Sequence, residues 1–204
     1  MIVAVGIDPA LAAKAATTTI PIVFGSSGDP VALGLVASLN RPAGNLTGIA
    51  NLQVELAQKQ LQLLRELIPN AAAFGVLSDP VYPAAQSTIA DLQAAARTLG
   101  LQLAIASART DGDLETAFAT FSQWRAGAVL VTLSTFYDRR MEQLATLADR
   151  HALPAIFPYR EYVLTGGLMS YGSSISYMYR QVGIYAGCIL RGEKPADLPV
   201  QQAS

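Results

Sequence analysis

Short apolar runs alternate with amphipathic stretches along the whole chain, and that alternation predicts a strand–helix series. Strands are expected at Ile2–Val5, Ile20–Phe24, Thr47–Ala50, Phe74–Leu77, Leu101–Ala106, Ala128–Leu133, Ala155–Phe157 and Leu168–Ser170. They are short, β-branched and apolar without strict alternation, the pattern of strands covered by helices on both faces. Between them, Ala57, Leu61, Leu64 and Leu67/Ile68 recur at three- and four-residue steps, as do Ile89, Leu92, Ala95/Ala96 and Leu99. A third stripe takes Met141, Leu144 and Leu147/Ala148. Each stripe is the buried face of an amphipathic helix. Pro69 disfavours helix at Ile68, and Gly100 supplies a left-handed stop. Such βαβ repetition predicts parallel sheets with right-handed crossovers.

Composition narrows the classes. The 204 residues are 51% hydrophobic and 14% charged, with a net charge of −1. That balance offers no electrostatic footprint for nucleic acid or an anionic membrane. No apolar run approaches the roughly 20 residues of a membrane helix. Met1 leads straight into a strand-like run, so no signal peptide is expected here. Cys188 is the one cysteine and excludes an internal disulfide. It lies in an apolar helix, where a buried inert thiol is the default. The one histidine, His151, precedes a strand and is expected at the surface, at the amino end of the sheet. No Cys/His cluster has metal-ligand spacing, and no nucleophile elbow, P-loop or G-x-G-x-x-G is present. Neither an enzyme nor a cofactor is expected.

The most informative stretch is IPIVFGSSGDPVALGLVASLNRPAGNLTG, 20–48. A strand runs into a Gly/Ser turn with Asp29-Pro30, then an expected short helix, then a Pro/Gly-marked connection. Open α/β sheets bind ligands at the carboxyl ends of their strands, where this turn lies. This wording resembles the solute-binding proteins of bacterial ABC importers, in the group that includes tryptophan/tyrosine-type receptors. The resemblance continues through KQLQLLRELIP (59–69), AARTLGL (95–101), GGLMSYG (166–172) and ILRGEKPADLPV (189–200), covering nearly the whole chain in order.

The resemblance implies a type I periplasmic-binding-protein-like α/β fold, with doubly wound parallel sheets in two lobes. Residues 1–45 and 171–204 would form a discontinuous first lobe, and 46–170 a complete second one. Glycines 44, 48, 166, 167 and 172 suit either hinges at the crossings or plain turns. Family members begin with an export signal and two further strand–helix units, and continue beyond Val200. The first lobe is therefore expected to be incomplete and the chain shortened at both ends. An extracytoplasmic location, periplasmic or lipid-anchored, and a membrane permease partner follow from the resemblance alone.

Three strand ends carry the same pair: Asp8-Pro9, Asp29-Pro30 and Asp79-Pro80. Each aspartate is expected to cap the next helix. If clustered around one cleft, these caps would also cradle a ligand's carboxylate or ammonium. Ser26 and Ser27 add hydroxyls on the first wall. Ser78 with Tyr82, Ser134-Thr135-Phe136, and Tyr159-Arg160 supply the second. Thr135 and Asp138 also match a capping box, so Thr135 is either a cap or a contact. Arg160 either clamps a carboxylate or pairs with Glu161 or Asp138. Tyr171, at the expected crossing, is placed to meet a flat solute, whereas Tyr177 and Tyr179 are expected to pack or meet a partner.

The expected function is capture of a small molecule between two lobes, an amino acid and by its tyrosines an aromatic one. Two alternatives stay open: the sensing domain of a regulator with the same fold, and a small α/β enzyme using Asp29, Asp79 or Glu161. Open strand edges at Ile2–Phe24 point to a homodimer.

Overall fold

The computed structural model describes residues 1–51 and 54–202, apart from the side chains of Ser27, Asn51, Val54 and Glu55. In chain order, β1 (Ile2–Val5), α1 (Ile7–Ala16), β2 (Ile22–Ser27) and β3 (Leu46–Asn51) come first. Then follow α2 (Val54–Leu67), β4 (Ala73–Ser78), α3 (Ala85–Leu99), β5 (Gln102–Ser107), α4 (Asp111–Gln123) and β6 (Val129–Val131). Two helices, α5 (Thr135–Asp138) and α6 (Met141–Arg150), lead to β7 (Ala155–Phe157), α7 (Arg160–Leu164) and β8 (Met169–Ser170). The chain closes with α8 (Ile175–Leu190), a 3-10 turn at Pro195–Asp197 and β9 (Gln201–Gln202). It divides into two compact units, 1–53 with 173–204, and 54–172. All strand pairs in both sheets are parallel.

The first unit holds a four-stranded sheet, β1-β2-β3-β9. One face packs Ala4, Ile22, Phe24 and Leu46 against Ala10 of α1 and against Leu35 and Val36. The other packs Val23 and Ile49 against Met178, Val182 and Tyr185 of α8. Alternate residues of one strand thus serve opposite faces, which is why these runs read as continuously apolar. The segment after Asp29 is a chain of turns, not the expected helix: Leu33 N–H donates to Asp29 O, and Leu35 N–H to Pro30 O. Gly34 in its middle sits at φ +67°, which breaks helical backbone.

β3 departs from the expected division. It belongs to the first sheet, in register from Ile22↔Leu46 to Ser27↔Asn51, so the unit boundary falls after this strand rather than at residue 45. Leu46 and Ala50 fill one side of the sheet and Ile49 the other, so leaving it would expose both faces. Gly48 is not a hinge but a close approach: a Cβ there would overlap the Phe24 carbonyl oxygen and lie 2.8 Å from the Phe24 ring.

The second unit carries a five-stranded sheet, β5-β4-β6-β7-β8, doubly wound. On one side Leu61 and Leu64 of α2 and Leu92 and Ala96 of α3 meet Phe74, Val76, Leu130 and Ile156. On the other, Phe118 and Phe121 of α4 and Leu144 and Leu147 of α6 are buried. The stripes therefore come out as expected, except at their last turns, where Leu67 and Leu99 are exposed. Gly100 ends α3 in the left-handed conformation, its N–H returning to Ala96 O and Arg97 O. Burying this much aliphatic and aromatic side chain contributes about 1.5–3 kcal/mol per residue before entropy is set against it.

Gly172 closes the unit where a side chain would overlap the Pro158 carbonyl oxygen. Gln60 of α2, buried, donates through Nε2 to Tyr171 O at 2.6 Å. Together they pin the segment leaving β8 to its own unit.

Candidate functional site

In a parallel sheet every strand ends on the same edge, so the loops after β4, β5, β6, β7 and β8 collect on one rim of the second unit. Asp79, buried, follows β4. Its Oδ2 accepts the Ser134 hydroxyl at 2.6 Å, and its Oδ1 accepts the Val81 N–H at 3.1 Å. Arg109, two residues past β5, places Nε 3.6 Å from the same Oδ1 while its side chain stays half exposed. One carboxylate thus ties three strand-end loops together.

Ser134 caps α5: it is extended, and its Oγ accepts the Phe136 N–H at 3.0 Å. Its proton is committed to Asp79, so it has none to offer a solute. Thr135 stands exposed one residue into the helix, so the cap expected of it is made by its neighbour. Phe136, half-buried, lies under the Arg140 guanidinium at 3.9 Å, and Arg140 is held by Asp111 at 2.6 Å.

Asp138 accepts the Tyr162 hydroxyl at 3.0 Å. Burial of its carboxyl group pushes it up to about 7; the Tyr162 hydrogen bond opposes this and the Glu161 charge adds to it. Burial likewise raises the Tyr162 and Tyr137 phenols. Tyr137 donates to Ala108 O at 3.1 Å. Tyr159 is buried at the start of α7, whereas Arg160 is exposed and joins none of the ion pairs among the described residues. Tyr171 is partly exposed, its backbone N–H donating to Phe157 O.

A pocket of ≈ 560 Å³ opens beside β4 and β5. Ile89, Ile105, Ala85 and three prolines or valines form its apolar lining, with Ser78, Ser107, Gln86 and Tyr82 as the polar members. No charged side chain lines it.

On the carboxyl edge of the first sheet, Ser26 is buried and its Oγ has no hydrogen-bond partner. The Ser27 side chain lies outside the described residues. Asp29 is exposed and accepts the Val31 N–H at 2.8 Å. Asp8 sits exposed within the first turn of α1, whose N-cap is Gly6 at φ +107°. None of the three Asp-Pro pairs caps a helix. Asp29 and Asp79 instead bond the N–H two residues on, an Asx turn that a following proline favours by fixing its own φ.

Of the expected second-wall residues, Ser78 and Tyr82 line the pocket, and Asp79 holds Ser134, whose helix carries Phe136; Thr135 and Arg160 are exposed. The sequence did not single out Arg109, Gln60 or Asp138 as site residues, and their partners lie between 24 and 111 residues away. His151 is not simply a surface residue: it is half-buried at the end of α6, its Nδ1 3.0 Å from Ser122 Oγ. Cys188 is only partly buried and accepts from Arg191 Nη2 at 3.3 Å. Tyr177 and Tyr179 are exposed on α8.

Two parallel sheets, each covered by helices on both faces, define the type I periplasmic-binding-protein-like fold class. The family model for ABC transporter substrate binding proteins matches residues 1–204, and the chain belongs to that family, whose members bind substrates rather than convert them. A tyrosine-binding protein of Clostridioides difficile (strain R20291) is 25% identical over 201 residues, 98% of this chain. The chain spans 57% of the length of that curated relative. A conserved domain protein from Vibrio cholerae is 28% identical at a TM-score of 0.85, covering 99% of this chain and 67% of its own. A Streptococcus pneumoniae ABC domain solved in complex with L-Trp superimposes at a TM-score of 0.84 with 22% identity, covering 100% of this chain and 68% of its own. Among the described residues, no helix is long and apolar enough to cross a membrane.

Proposed function

We propose that this chain captures an amino acid with a flat apolar side chain, as the extracytoplasmic binding component of an ABC importer. The carrying observation is the uncharged pocket beside β4 and β5, whose isoleucine and proline walls suit a ring and reject a charged side chain. Ser78, Ser107 and Gln86 supply its few polar contacts, and Arg109, two residues beyond Ser107, pairs with Asp79 while half exposed, leaving part of its guanidinium for a carboxylate. The name of the tyrosine-binding relative supports an aromatic solute. A thermal-shift panel of the twenty amino acids with several pentoses and hexoses tests it. L-tyrosine or L-tryptophan should raise the melting temperature; at a hundredfold excess over Kd the stabilisation is about 2.7 kcal/mol. Shifts from sugars alone would point to another ligand class.

A membrane permease as recipient belongs to the same proposal. So does a homodimer, with its surface narrowed. β2 pairs on both sides, so among Ile2–Phe24 only β1 presents an open edge, with Val3 half exposed. Light scattering at high micromolar concentration should give twice the 21.5 kDa chain mass, and a clean monomer would contradict the pairing.

A further inference from the structure

Helix α3 begins without a side-chain cap. Its N-cap is Ala84, which has no side-chain acceptor, and its first turn carries no acidic residue. Ala85 N–H returns to Tyr82 O at 2.9 Å, and Thr88 N–H closes the helix onto Ala84 O at 3.0 Å. Between them, the N–H groups of Gln86 and Ser87 meet no acceptor among the described residues. Donors of a first turn point out past the helix end. Here that end borders the pocket beside β4 and β5, which Ala85 and Gln86 line.

A second, independent feature lies in the same pocket. Ser78 is 4% exposed and lines it, yet its hydroxyl makes no hydrogen bond among the described residues. Phe74 and Val76 pack with α2 and α3, so by the two-residue period of a strand Ser78 extends that face. The last pair of the β4–β5 ladder sets Ser107 beside it. A buried hydroxyl without a partner is costly, and a ligand oxygen that accepts its proton removes that cost.

We propose that the first turn of α3 and the Ser78 hydroxyl form a carboxylate subsite, one carboxylate oxygen accepting from the turn and the other from Ser78. No charged side chain lines the pocket, so neutral donors and the positive end of the helix supply the attraction. Arg109 lies outside the lining and pairs with Asp79. The solute's ring rests against Ile89 and Ile105, with its carboxylate towards α3. This rests on the aromatic-solute reading of the pocket, and names the solute group that the pocket reads.

Three probes of similar shape separate the groups: L-tyrosine, 3-(4-hydroxyphenyl)propionate, which lacks the amine, and tyramine, which lacks the carboxylate. In calorimetric titrations the propionate should bind, and tyramine should be weaker by about tenfold or more. Ser78→Ala should weaken both carboxylate probes about tenfold, since a bond to a charged acceptor is lost. Without solute its melting temperature should not fall, because the hydroxyl it removes is unpaired. Gln86→Glu places a negative charge in the first turn. It should weaken the carboxylate probes about tenfold and leave tyramine unchanged or tighter, while the melting temperature holds or rises. Tyramine binding as tightly as L-tyrosine would overturn the subsite and leave the aromatic pocket standing. Carboxylate binding indifferent to both substitutions would also overturn it, as would no binding by either carboxylate probe or by 4-methylpentanoate. If 4-methylpentanoate binds with the same dependence on Ser78 and Gln86 and the aromatic probes do not, the subsite stands and the aromatic reading falls.

Discussion

Gly48→Ala is expected to unfold the first unit at temperatures where the second remains intact. The new methyl group would overlap the Phe24 carbonyl oxygen and press on the Phe24 ring, with β2 hydrogen-bonded on both sides and unable to retreat. Overpacking in a dense core costs about 1–3 kcal/mol, and a clash with backbone rather than a movable side chain lies at or beyond the top of that range. Trp124 is the only tryptophan and lies in the second unit, so its fluorescence reports that unit alone. Far-UV circular dichroism should show an early transition in Gly48→Ala, with the fluorescence midpoint little changed. A variant that melts like wild type by both probes would show that β2 and β3 can part at this point.

Asp79→Ala should have the complementary effect. It removes the acceptor for the buried Ser134 hydroxyl and the Val81 N–H, and leaves Arg109 without its anion. The buried Ser134 hydroxyl left unpaired costs about 1–3 kcal/mol, and losing the bond to the more exposed Val81 N–H about 0.5–1.5 kcal/mol more. A total of about 2–4 kcal/mol is expected, read as a lowered midpoint of Trp124 fluorescence in urea. Asp79→Asn keeps an amide oxygen for the Val81 N–H and turns its NH2 to the Ser134 hydroxyl, which can rotate to accept it, and should lose less than half as much. The same substitution loosens three loops of the rim, so amino-acid binding should weaken more than tenfold even at temperatures where Asp79→Ala is fully folded. Unchanged affinity in a folded Asp79→Ala would separate this network from the solute.

Asp138 should make stability depend on pH. Its folded carboxyl titrates near 7, above the usual 3.8, so the native state holds a proton that the unfolded chain has released. Stability is therefore fully present below about pH 4 and is lost as pH rises towards 7. With part of the residue still meeting solvent, the expected loss is about 2–3 kcal/mol. Asp138→Asn removes that slope.

Local signals carried much of the architecture. β1 and β7 fall where the apolar runs place them, and α2 stops at Leu67, one residue short of Ile68, because Pro69 disallows helix before it. Gly100 ends α3 through its own φ freedom, a property of one residue. What local pattern could not carry was long-range pairing. Gln201–Gln202 form β9 only because β3 offers its free edge, and two glutamines have no strand signal. Thr47, read as the opening of the second lobe, hydrogen-bonds Leu198 O across 151 residues and so belongs to the first.

The site was legible to a similar depth. Strand ends carrying Ser78, Asp79 and Ser134 were recognisable because hydroxyls and carboxylates follow apolar runs. Their partners were not. Arg109 precedes the Thr110–Asp113 capping box of α4, and its N–H donates to Asp113 in that box, holding the Asp113 carboxyl below its usual value. Only the fold brings its guanidinium to Asp79. Asp138 read as half of a capping box with Thr135, but the extended backbone of Ser134 takes the cap and frees Asp138 to face Tyr162.

Isothermal titration with L-tyrosine and L-tryptophan, against alanine, glutamate and ribose as controls, tests the central claim most directly. Saturable one-to-one heat for an aromatic amino acid, with Kd on the order of micromolar or tighter, is the expected result, and Ile105→Glu in the pocket wall should abolish it. Heat from ribose with none from either aromatic amino acid, or aromatic binding untouched by Ile105→Glu, would contradict it.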